Sequence, residues 1–184
     1  MMWDLPLTVE IDGKEYKITN RCDYRMVLDV ICILNDNELS EEQKLRTALY
    51  VFYEDLKECT NVEKAIKEMF YIISYGEEDD EKPKESKPKL MDWEHDFKML
   101  VAPVNRVLGY EVRSIDYLHW YTFMSAYYEI GECQFQTVVS IRSKRAKGKK
   151  LDDWEQEFYR ENKKMIDLPQ NLTEEEQEWL DSDW

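Results

Sequence analysis

Three times within the first 75 residues, a side chain able to cap a helix is followed by apolar residues recurring every three or four positions. Asp23 precedes Met26, Val27, Val30, Ile31 and Leu34. Ser40, with Gln43 three residues on, precedes Leu45, Ala48, Leu49, Phe52 and Leu56. Thr60, with Glu63, precedes Val62, Ile66, Met69, Phe70 and Ile73. An oxygen ahead of the first turn satisfies N–H groups that have no partner inside the helix, and Gln or Glu three residues later returns the bond. The 3.6-residue repeat gathers each apolar set on one face, and the short connections predict consecutive helices packed side by side. Gly and Pro, at five each in 184 residues, are too scarce for a loop-rich sandwich or barrel.

One β-element precedes the helices. Leu7, Val9 and Ile11 alternate with polar residues, Asp12-Gly13 supplies a turn, and Tyr16 and Ile18 resume the alternation. Asp-Gly between alternating apolar residues predicts a two-residue hairpin turn, in which both central residues take positive φ. An isolated hairpin is marginal in water, so one of its faces must rest on the helices. The expected fold class is therefore mainly α, a helical domain with a small N-terminal β-hairpin.

Residues 76–89, GEEDDEKPKESKPK, contain no apolar residue and two prolines, the composition of a solvated linker. This divides the chain into a hairpin plus three-helix unit over 1–75, a charged linker or loop over 76–90, a C-terminal helical unit over 91–168 and an acidic tail over 169–184. In the third part, Trp93, Phe97, Leu100 and Val101 read as a helix reaching towards Gly109, with Pro103 expected to kink or split it. Ser114 or Asp116 is expected to start the most apolar helix, which ends at Gly131. Phe135 to Ile141 leads into the basic run RSKRAKGKK at 142–150. Leu151, Trp154, Phe158 and Met165 mark another amphipathic helix, and Thr173 with Glu176 could start a last one carrying Trp179.

A net charge of −15 would repel nucleic acid and anionic lipid on average. The N-terminus lacks the basic and apolar regions of a signal peptide, and no run approaches the ~20 apolar residues of a membrane span. The host or cell cytoplasm is the expected compartment, with Cys22, Cys32, Cys59 and Cys133 as reduced thiols. Cys22 and Cys32, ten residues apart along one predicted helix, would stand about 15 Å apart, too far for a disulfide.

No credible active site emerges. Asp92, His95 and Asp96 could contribute to a metal site, but a catalytic zinc wants three protein ligands, and His119 is the only other histidine. The bland reading makes Asp92 a helix cap and His95 a residue of a solvated face. There is no G-x-S-x-G, no P-loop and no G-x-G-x-x-G. The expectation is a protein without enzymatic activity, catalytic residues, metal or cofactor.

Two features suit protein binding. The helix with Trp120, Tyr121, Phe123 and Tyr127 carries aromatic residues on more than one face; some belong to the core, and others could line a groove for a partner helix. The basic run offers Arg142, Lys144, Arg145, Lys147, Lys149 and Lys150, but Asp152, Asp153, Glu155 and Glu157 follow at once. On a continuing helix these would lie within one to two Debye lengths, about 8 Å each, and partly cancel the field. Aromatic residues are not interleaved with the basic ones as a stacking surface for single strands requires. An acidic protein surface, or the chain's own acidic tail, suits this run at least as well as nucleic acid. The candidate protein-binding residues are thus Trp120, Tyr121, Phe123, Tyr127, Arg142, Lys144, Arg145, Lys149 and Lys150.

The segments LPLTVEIDGKEYKI, LSEEQKL, VNRVLGYEVRSIDYLHWYTF, VVSIRSKRAKGKKL and WEQEFYRENKK, in this order, resemble the "gp fifteen" family of siphophages and prophages of Gram-positive bacteria. The resemblance spans nearly the whole chain to about Leu168. It implies a helical tail assembly chaperone, encoded between the major tail protein and the tape-measure protein. Such a factor coats the tape-measure protein until tail-tube subunits polymerise around it. Its implied partners are the tape-measure protein and the major tail protein, with self-association left open and no membrane. The alternative is an acidic regulatory or DNA-mimic protein acting on nucleic acid or on a nucleic-acid-binding protein.

Overall fold

The hairpin forms as its alternation predicts in the computed structural model, which describes residues 4–77 and 88–169. Strands β1 (Thr8–Ile11) and β2 (Lys14–Lys17) pair antiparallel, with Val9 opposite Tyr16 and Ile11 opposite Lys14. Asp12 and Gly13 have φ of 51° and 79°, the turn whose twist matches that of the strands. Val9, Ile11, Tyr16 and Ile18 are buried against the helices. The Glu54 N–H, just past the second helix, donates to the Lys17 carbonyl at 3.1 Å and pins the hairpin there.

Eight α-helices follow among the described residues: α1 (Tyr24–Asn35), α2 (Glu41–Phe52), α3 (Val62–Ile73), α4 (Trp93–Leu108), α5 (Trp120–Tyr128), α6 (Gln134–Ala146), α7 (Asp153–Glu161) and α8 (Lys163–Ile166). None is long and apolar enough to cross a membrane among the described residues. Asp23 caps α1, and Ser40 and Gln43 form the full reciprocal box at α2. At α3 the cap is Asn61, whose side chain accepts the Lys64 N–H, rather than the expected Thr60. Asn is as good a cap as Thr and stands one residue closer to the first turn.

Pro103 does not split α4, which runs through it to a left-handed cap at Gly109. The proline ring removes the N–H that would reach the Met99 carbonyl, but Pro103 is buried beside Leu100, Val101 and Val104, and packing outweighs the lost bond.

The aromatic helix begins at Trp120, later than Ser114 or Asp116. Its delay has a tertiary cause. The Tyr24 N–H donates to the Leu118 carbonyl at 2.9 Å, and the Trp120 N–H to the Cys22 carbonyl at 2.8 Å. Buried Asp23 also accepts the Leu118 N–H, at 2.9 Å. These bonds hold Leu118 and His119 out of the helical conformation beside 22–24, so the helix cannot start earlier. Just before them, Asn20, Arg21 and Cys22 have φ of 48°, 55° and 61° in succession. Such left-handed backbone costs about 1–2 kcal/mol per residue, and of the three only Asn20 is of a type that visits it readily.

One continuous core unites residues from both sides of the 76–90 stretch: Val27, Phe52 and Met69 share it with Leu100, Val104 and Trp120. A smaller cluster of Val138, Ile141 and Ile166 seats the last two helices on α4 and α6. The last expected helix, at Thr173 to Glu176, lies outside the described residues.

Candidate partner-binding site

The aromatic helix is mostly core. Trp120 and Phe123 are each 1% exposed; Trp120 donates its indole N–H to the Ile73 carbonyl at 3.1 Å, and Phe123 stacks on Tyr24 at 4.7 Å between centroids. α5 packs against both α1 and α4, so an all-round apolar sequence finds neighbours on several sides. Tyr127 is half-buried, with its ring against Trp93 and its hydroxyl on the Met91 sulfur. Tyr121 is half-buried at the edge of the core. Trp120 and Phe123 therefore present no contact surface in this conformation, while Tyr121 and Tyr127 present part of theirs.

The basic run divides in the same way. Arg142 is buried, with its guanidinium on both oxygens of fully buried Asp96 at 2.7 and 2.9 Å. The same group donates to the carbonyls of Leu90, Met165 and Ile166. Lys144 pairs with Glu155, and Arg145 with Asp167 while lying over the Tyr159 ring. The helix does not continue through the run: it ends at Ala146, Gly148 takes a φ of 63°, and the chain returns so that α8 packs against α6. This reversal brings acidic side chains onto the basic ones directly. Lys149 and Lys150 are exposed and lack an ion pair among the described residues.

Asp92 caps α4 by accepting the His95 N–H at 2.9 Å. Burial alone would push its pKa up, but the His95 N–H and the Lys89 ammonium outweigh that and hold the carboxyl below its ordinary value. His95 is half-buried rather than solvated, with its ring nitrogen 3.1 Å from the Met165 carbonyl. Among the described residues, no group of three His, Cys, Asp or Glu side chains is placed to hold a metal ion. His119 caps α5 through Nδ1, which accepts the Tyr121 N–H at 3.0 Å. With Nδ1 accepting, Nε2 carries the proton and donates to the Pro6 carbonyl at 2.9 Å. Burial pushes the Cys22 thiol up to about 12, leaving it an inert neutral group.

An open apolar groove lies elsewhere, between α2 and α3. A groove of about 980 Å³ is lined by Leu45, Leu49, Tyr50, Tyr53, Leu56, Val62 and Ile66. Tyr50 is 84% exposed and Val62 51%, a large apolar area to leave in water. Glu42, Arg46, Glu54, Asp55 and Lys57 form a charged rim. Tyr53 holds the two walls together by donating its hydroxyl to the Ala65 carbonyl at 2.9 Å. One wall follows from the sequence: the α2 stripe is wider than the face its core contacts consume, so Leu45 is left half-buried, whereas α2 ends at Phe52 and the expected stripe residue Leu56 lies half-buried in the connection to α3. Tyr50 sits off that stripe, so periodicity alone does not single it out. An apolar floor with charged edges suits the apolar face of an amphipathic helix.

Compared with known proteins, the chain matches a family model described as Bacteriophage Gp15 protein over residues 2–168. No curated protein and no solved structure matches it.

Proposed function

The chain belongs to the bacteriophage Gp15 family, and on that premise we propose that it is a tail assembly chaperone without enzymatic activity. In this reading it binds the tape-measure protein in the host cytoplasm, keeps it soluble and helps recruit tail-tube subunits of the major tail protein. A long helical protein with bare apolar faces aggregates unless those faces are covered reversibly. The observation that carries the reading is the open groove between α2 and α3, with Tyr50 exposed on its wall and charges at its rim. An amphipathic helix laid there would cover Tyr50, Val62, Leu45 and Ile66 with its apolar side. The net charge of −15 would keep a coated filament dispersed by mutual repulsion. Lys149 and Lys150 offer a second, electrostatic contact to an acidic partner surface.

Co-expression with the cognate tape-measure protein tests the reading. The expected result is a soluble complex that co-purifies. Tyr50→Glu should weaken it by about 2 kcal/mol, a factor of about 30, as for an interface hot spot. Because Tyr50 is exposed, that variant should keep its folding stability within about 0.5 kcal/mol. A tape-measure protein that stays insoluble and fails to co-purify would overturn the chaperone role. A complex indifferent to Tyr50→Glu would move the contact away from this groove.

A further inference from the structure

At the end of α3 and the outer side of α5, four tyrosines meet around Gly76. Tyr75 lies edge-on to Tyr121 at 4.8 Å between centroids and tilted to Tyr128 at 5.6 Å. A Cβ on Gly76 would stand 3.2 Å from the Tyr121 hydroxyl and 3.5 Å from that of Tyr71. Tyr128 is 58% exposed and Tyr71 42%, so the group faces water instead of closing the core.

The rings are held in place beforehand. Tyr75 takes a left-handed φ of 61°, disfavoured for a residue with a Cβ, and the Gly76 N–H closes the turn on the Tyr71 carbonyl at 2.8 Å. The Ser125 hydroxyl donates to the Tyr121 carbonyl at 2.8 Å, which leaves the Tyr75 hydroxyl to donate to the Ser125 oxygen, also at 2.8 Å. A preset surface loses little freedom when a partner binds.

Its chemistry favours a cation. Aromatic faces carry negative potential. Exposed Glu77 follows Gly76 at once, and exposed Glu129 follows Tyr128. Burial, then the Glu77 carboxylate, pushes the Tyr128 phenol above its ordinary value. Among the described residues, cations sit over the rings of Tyr16, Tyr24, Tyr117 and Tyr159, and none sits over this group.

We propose that the four tyrosines around Gly76, edged by Glu77, dock an arginine-bearing segment of a protein partner. A planar guanidinium stacks on a ring while donating to phenol and carboxylate oxygens; an ammonium offers only a point charge. The site is separate from the α2–α3 groove and does not depend on the function proposed above.

The test titrates the full chain, with isotope-labelled tyrosine rings, against a capped peptide of alternating arginine and leucine, followed by NMR. Saturable shifts are expected at Tyr71, Tyr75, Tyr121 and Tyr128. Replacing arginine by citrulline, which keeps the shape and removes the charge, should weaken binding about ten-fold. The double substitution Tyr71→Leu, Tyr128→Leu should do the same for the arginine peptide. Equal binding of the citrulline peptide, or shifts confined to other tyrosines, would overturn the proposal. So would a response that appears only after Lys82, Lys84 and Lys87 are changed to Gln, since the site would then serve the chain's own lysines. The citrulline comparison needs no variant and is immune to misfolding.

Discussion

Replacing Arg142 with Met should destabilise the protein by about 3–5 kcal/mol. A guanidinium has five N–H donors, and all five find acceptors here: two on Asp96, and one each on the carbonyls of Leu90, Met165 and Ile166. Asp96 is fully buried, and without Arg142 it would retain the Asp92 N–H at 3.0 Å as its one remaining donor. Leaving a buried carboxylate without its counter-charge sets the size of the effect; the three abandoned carbonyls are part of the same loss and are not added again. For a chain of this size, each kcal/mol shifts the melting temperature by about 2–4 °C, so a drop of about 6–20 °C is expected. Two of the acceptors, Met165 and Ile166, belong to α8, so amide exchange should quicken first in α7 and α8. Urea and thermal unfolding measure the loss. The pair Asp96→Leu with Arg142→Met, which removes both charges, should recover most of it. A single-variant loss below about 1 kcal/mol would refute the view that this buried pair locks the C-terminal helices to α4, and would return Arg142 to the candidates for partner contact.

Two further predictions concern single groups. Burial holds the His119 imidazole below its ordinary value, with Arg21 acting in the same direction and the Pro6 carbonyl and Asp23 opposing. Its contribution to stability is therefore complete above its unfolded value near 6.5 and is lost as pH falls through the lower folded value. Urea midpoints between about pH 7 and pH 5 should fall in the parent, and His119→Asn, which keeps a capping side chain, should flatten that decline. At the start of α3, Asn61→Ala should cost about 1 kcal/mol while Thr60→Ala stays within about 0.5, as read by chemical unfolding; equal costs would contradict the observed cap.

Local signals were legible wherever a few neighbouring residues decide the outcome. Asp12-Gly13 specified its turn because only positive φ at both positions matches the strand twist. Asp23, Ser40, Asp92 and Gly109 marked their helix ends because unpaired N–H and C=O groups must be satisfied on the spot. The start of α5 was not legible in this way. Leu118 and His119 are held out of the helix by backbone bonds that residues 118–120 make to 22–24, and no short window of sequence contains both. The same limit applies to the candidate site. Trp120 and Tyr121 are adjacent and equally aromatic, yet one is core and the other is half-exposed, and only the packing of α5 on α1 and α4 separates them.

By itself, then, the sequence determined that the chain is mainly helical with one hairpin, where several helices are capped, and which phage family it resembles. These follow from local hydrogen bonding, from the 3.6-residue apolar repeat and from the order of characteristic segments. Only the tertiary structure decided which apolar and charged residues remain available to a partner. It spent Trp120, Phe123 and Arg142 on the interior, neutralised Lys144 and Arg145 against Glu155 and Asp167, and left Tyr50 and the wall of α2–α3 uncovered. Burial is a property of contacts between distant segments, and residue type and spacing bound it without assigning it.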